Sequence, residues 1–195
     1  MRTPLRLTVL IALLAGTLAQ AGHGQHRFWL GGGLGAGAGR LQCGICESEG
    51  VQGTSGYFRA GTTLNPRLLV GGEAALWQRS ADEGKRRILA FTAGLWWYPK
   101  PPAGWFIRAG TGLSRWRAWD QGEAVTSKSL VLVVGAGYEA RVGPRLLVSP
   151  FINLFGSGSG GLWLESWDEV SYERHRLPSG AHALLLQAGV GLTRR

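Results

Sequence analysis

Past residue 21 the chain holds no continuous apolar run of the ~20 residues a helix needs to cross a bilayer, which excludes a helical membrane anchor beyond that point. Charged residues make up only 17%, little for a soluble domain. Cysteine is confined to one pair, Cys43 and Cys46. No second pair is present to complete a zinc site, and Glu47 and Glu49 are poor substitutes for thiolates. A thioredoxin-like setting for a redox CxxC is also missing. The net charge of +9 is scattered, with clusters only at Lys85-Arg86-Arg87 and Arg194-Arg195. With no basic helix and no recognisable motif, a nucleic-acid partner is not expected.

What is present begins with an export signal. Arg2 and Arg6 precede an apolar stretch from Leu7 to Leu18, and Ala19-Gln20-Ala21 fits the small-x-small cleavage pattern. This predicts a cleaved signal peptide over residues 1–21 and one mature domain over 22–195, roughly 174 residues with a sizeable core. Without Arg2 and Arg6 the net charge is about +7. For an exported chain, an outer-membrane lipid or lipopolysaccharide layer is the expected counterpart to that charge. In the same compartment Cys43 and Cys46 are expected to form a small loop-stiffening disulfide.

The mature chain combines 32 Gly and 9 Trp with period-two alternation broken by Gly, Pro, Asn and Asp. Eight strands are expected, near 27–39, 55–64, 68–79, 87–98, 105–116, 129–142, 146–155 and 181–193. Short connections (65–67, 98–104, 143–145) alternate with long ones (41–54, 80–86, 118–128, 156–180). Such sorting belongs to a barrel with short turns at one end and long loops at the other.

Parity gives an independent test. Leu130, Leu132, Val134, Ala136 and Tyr138 share one face, opposite Ser129, Gly135, Gly137 and Glu139. Leu184, Leu186, Ala188, Val190 and Leu192 stand opposite Gln187, Gly189, Gly191 and Thr193. One face is apolar and the other is glycine plus polar, the reverse of a soluble sandwich. A narrow membrane barrel needs this inversion, because only helices and closed barrels satisfy their backbone in lipid. The fold class expected is all-β, an antiparallel up-and-down transmembrane β-barrel of about eight strands. Trp96, Trp97, Tyr98 and Trp105 flank one turn and are expected to form an interfacial aromatic belt at the periplasmic end.

On Ala109-Gly-Thr-Gly-Leu-Ser114, Val134-Gly-Ala-Gly-Tyr138 and Gln187-Ala-Gly-Val-Gly-Leu192, the chain resembles the small eight-stranded outer-membrane β-barrel proteins of Gram-negative bacteria over its whole mature length. It departs from them in ending its last strand on Leu192-Thr-Arg-Arg195, without an aromatic residue. The resemblance implies an architecture and not an activity. It includes structural barrels, adhesins, narrow pores and a few lipid-modifying enzymes.

For chemistry, Ser179, His182 and Glu173 are the residues nearest to a nucleophile–base–acid set, but Ser179 occupies a Pro-Ser-Gly turn. No catalytic residue, metal or cofactor is expected. Arg59, Glu73, Arg108 and Glu139 fall on the inward parity and are expected to neutralise one another as a lumen charge network, most simply through Arg59–Glu73. The function expected is that of a non-enzymatic, monomeric outer-membrane barrel with a structural or interaction role through its extracellular loops. A narrow pore and a lipid-A-modifying enzyme are the alternatives.

Overall fold

The computed structural model describes residues 28–43, 50–81, 84–120, 122–167 and 172–195. Residues 1–21, the expected signal peptide, lie outside them. Ten strands run in chain order: β1 (Phe28–Cys43), β2 (Val51–Asn65), β3 (Leu68–Ala81), β4 (Gly84–Trp97), β5 (Trp105–Asp120), β6 (Glu123–Tyr138), β7 (Ala140–Arg141), β8 (Leu146–Ser157), β9 (Gly160–Trp167) and β10 (Tyr172–Arg194). A 3-10 turn, Pro101–Ala103, joins β4 to β5. It ends on Gly104, whose φ of +76° is a left-handed conformation that glycine adopts without Cβ strain.

All the main pairings are antiparallel, and β1–β10 closes the sheet. Strands β8 and β9 are successive halves of one stave, since both pair with β6 on one side and β10 on the other. β7 continues β6 past Glu139 and pairs with the same β8, so the barrel has eight staves. Its register can be followed once around through Leu30, Ala60, Gly72, Ala93, Thr111, Leu132, Gly156 and Leu184, returning to β1 at Arg40, ten residues above the start. Eight staves with that stagger give a tilt of ~41° and a radius of ~8 Å. A cylinder this narrow is filled by its own side chains.

Side-chain parity follows the inversion read from the sequence. Leu132 is 66% exposed and Val133 1%, and the alternation holds along the lower part of each stave. The outward face of β2 to β6 begins at Leu64, Leu68, Trp97, Trp105 and Tyr138. Ten residues along each strand it gives way to Thr54, Gln78, Arg87, Arg115 and Lys128. Ten tilted residues span ~25 Å, the height of the apolar band on a membrane barrel.

The long connections differ from expectation. β5 and β6 continue to Asp120 and Glu123, and the 156–180 segment contains β9 and the first half of β10. These stretches lie above the apolar band and do not need its strict alternation to keep pairing. Sequence periodicity therefore misses them, and the loop-side end is largely β-hairpin.

Candidate functional site

The interior is built in layers, starting at the turn end. Trp29, Leu69, Trp96, Tyr98 and Phe106 form the lowest cluster, with Trp29 and Trp96 packed edge to face at 5.0 Å. Glycines make room for these rings: a Cβ on Gly61 or Gly71 would lie 2.8 or 2.9 Å from the Trp29 ring. The inward glycines also let neighbouring strand backbones approach closely, as at Gly112, where a Cβ would meet the Phe91 carbonyl oxygen.

Arg59, Glu73 and Arg108 are buried above and among these rings, and Glu139 is buried beside Tyr98 at the turn end. Arg108 Nη1 donates to Glu73 Oε2. Arg59 Nη2 donates to Thr193 Oγ1 at 2.9 Å and lies 3.8 Å from Glu139 Oε1. Arg195 Nη2 reaches the other Glu139 oxygen at 2.6 Å and also donates to the Tyr98 hydroxyl. The Arg59 guanidinium lies among the rings of Tyr57, Phe106, Trp29 and Trp96, at 5.1 to 5.8 Å, where ring faces offset part of its lost hydration. Asn153 Nδ2 donates to Gln187 Oε1 at 3.1 Å in the same polar zone.

The expected Arg59–Glu73 pair is corrected. The two are direct partners in the β2–β3 ladder, but the ion pairs are Arg108–Glu73 and Arg59–Glu139. Arg108 stands opposite Gly135, four residues or ~13 Å along β6 from Glu139. An Arg59–Glu73 pair would leave Arg108 and Glu139 too far apart to neutralise each other. The long arginine stems cross the lumen instead, so that each acid has a base. Arg195 joins the network as a second base on Glu139; its position at the chain end gave no parity signal.

A second apolar layer caps the charges, with Tyr57, Trp77, Ile88, Val131, Val133, Phe151, Phe155 and Leu185. The Trp77 indole N–H donates to the Gly37 carbonyl at 2.9 Å. Leu41, Leu162 and Ala181 close a third cluster higher up. A mouth of about 610 Å³ opens at the turn end, lined by Leu69, Tyr98, Glu139 and Arg195 among others.

The aromatic belt is corrected in half its members. Trp97 and Trp105 point outward at 50% and 61% exposure, but Trp96 and Tyr98 are 1% and 2% exposed and fill the lumen. Consecutive strand residues face opposite ways, so 96, 97 and 98 cannot share a face. The outward girdle instead includes Tyr138, whose ring packs on Trp105 at 5.1 Å. Trp77 is likewise a core residue, 1% exposed.

The remaining candidates lie partly outside the described residues. Cys43 ends β1, and Cys46 lies outside the described residues, so the expected disulfide does as well. His182 faces outward on β10, and Glu173 contacts His175 at 3.2 Å. The side chain of Ser179 lies outside the described residues. Among the described residues, no group of three or more His, Cys, Asp or Glu could hold a metal ion.

No protein-family model and no curated protein matches the chain. Solved structures do. Neisserial surface protein A (NspA) aligns at 15% identity with a TM-score of 0.54, covering 84% of this chain and 95% of that one. The outer membrane protein OprG from Pseudomonas aeruginosa aligns at 12% identity and 0.50, covering 88% and 97%. Ail, the attachment invasion locus protein of Yersinia pestis, aligns at 15% and 0.45, covering 84% and 97%. The chain has the fold of the small eight-stranded outer-membrane β-barrels.

Proposed function

We propose that this chain, a barrel of the small outer-membrane type, resides in a bacterial outer membrane as a monomeric, non-enzymatic anchor that acts through its loop-side hairpins. The observation that carries this is the filled interior. One apolar layer around Trp29 and Trp96 and one around Tyr57, Trp77 and Phe155 enclose the Arg108–Glu73 pair, and the Arg59–Glu139 pair reaches down to the turn end. A filled cylinder with a lipid-facing exterior offers soluble partners only its ends. The strands that continue past the apolar band provide a broad, paired surface at one of them.

In the same reading, residues 1–21 are removed on export and Cys43 pairs with Cys46. Intact-mass measurement of the isolated protein tests both, by the loss of the leader and the absence of free thiols. The anchor reading itself is tested by conductance in planar bilayers, where the refolded protein is expected to give no stepwise current. Steady unitary conductance would favour the narrow-pore reading instead.

A further inference from the structure

The outer wall carries a charge arrangement that the lumen does not use. At the loop-side edge of the apolar band, β4, β5 and β6 present Arg87, Arg115, Arg117 and Lys128 outward. Arg87 is the direct cross-strand partner of Arg117, and Arg115 of Lys128. Like charges set opposite each other in a ladder are destabilising, so two such pairs side by side need an anion. Glu165 of β9 supplies part of one, 3.5 Å from Arg117 and 3.7 Å from Arg174. Among the described residues no carboxylate pairs with Arg87, Arg115 or Lys128. The Trp119 ring sits against both Arg87 and Arg117, at 5.4 and 5.6 Å, and holds those guanidiniums on the wall.

The patch is one-sided. At the corresponding height, β1, β2 and β3 present Ala38, Thr54 and Gln78, with Arg40 one outward position higher. Below the cations lie Phe91, Leu113, Leu130 and Leu132, all well exposed.

We propose that this patch binds the phosphates of one phosphorylated glycolipid of the outer leaflet, with its acyl chains lying along Phe91, Leu113 and Leu130. The proposal rests on the membrane-spanning reading above. Three features select this ligand. The cations stand ~25 Å from the aromatic girdle, where a lipid's own acyl chains hold its phosphates. Two adjacent cation pairs fit a headgroup with two phosphates better than a phospholipid with one. Arginine forks take phosphate oxygens in pairs, so Arg87 and Arg115 give directional contacts and not only a field.

The test is native mass spectrometry of the full chain refolded in neutral detergent, with bis-phosphorylated lipid A and phosphatidylglycerol as separate probes. A one-to-one adduct with lipid A is expected, with much weaker binding of phosphatidylglycerol. The combined variant Arg87→Gln, Arg115→Gln, Lys128→Gln should lose ~100-fold in lipid A affinity, at about fivefold per cation. A turn-end variant with the same charge change, Arg141→Gln, Arg145→Gln, Arg194→Gln, should keep it. Absence of the adduct, equal binding of phosphatidylglycerol, or equal loss in both variants overturns the proposal. Heat-modifiable gel migration reports folding separately, so a failed barrel is not mistaken for a failed site. If the triple variant does not fold, Arg115→Gln alone is expected to show the fivefold loss, and unchanged binding overturns the proposal.

Discussion

Glu73 stands directly opposite Arg59 in the β2–β3 ladder, yet its carboxylate is held by Arg108 of β5. The lumen is narrow enough for an arginine stem to span it, so the partner is chosen by charge balance across the barrel and not by the ladder. Glu73→Ala leaves Arg108 buried without its base and should cost about 3–5 kcal/mol of unfolding free energy. In a double-mutant cycle by urea unfolding in vesicles, Glu73 should couple strongly to Arg108 and weakly to Arg59. Strong Glu73–Arg59 coupling would contradict the pairing.

Gly61 and Gly71 provide the slot into which the Trp29 ring packs. A side chain there must push back the neighbouring strand, since a Cβ on Gly61 would meet the Val70 carbonyl oxygen, and must also displace the Trp29 ring. Gly61→Val should therefore destabilise the barrel by about 1–3 kcal/mol, the usual range for overpacking. Gly72→Ala, on the outward face with no close neighbour, should be near neutral by the same measurement.

Trp96 and Trp97 are adjacent in sequence and opposite in environment. With lipids brominated near the headgroups, replacing Trp97 by Phe should remove much of the quenchable tryptophan emission. Trp96→Phe should leave the quenchable fraction nearly unchanged. Equal effects would mean that the turn end of β4 is not alternating as described.

These cases separate what the sequence makes legible from what it does not. The inward side of each strand follows from period two alone, and Arg59, Glu73, Arg108 and Glu139 all occupy it. Which acid meets which base depends on stagger and on the reach of side chains across a ~8 Å radius, and neither has a local signal. The composition of 96–98 suggests a belt, whereas period two sends Trp97 to one face and Trp96 and Tyr98 to the other. Residues 160–167 and 172–180 are strand without a continuous lipid-facing apolar stripe, because above the band no lipid demands one. Composition alone makes such segments resemble loops.

The barrel is inverted, apolar outward and polar inward. The most direct test is a spin-label scan of residues 130 to 138 on β6, one cysteine at a time, with Cys43 and Cys46 replaced by Ser and the protein in lipid vesicles. Oxygen accessibility should alternate with period two, high at 130, 132, 134 and 136 and low at 131, 133, 135 and 137. Maxima at the odd positions, or no alternation, would contradict it, because a shift of one residue reverses every face described here.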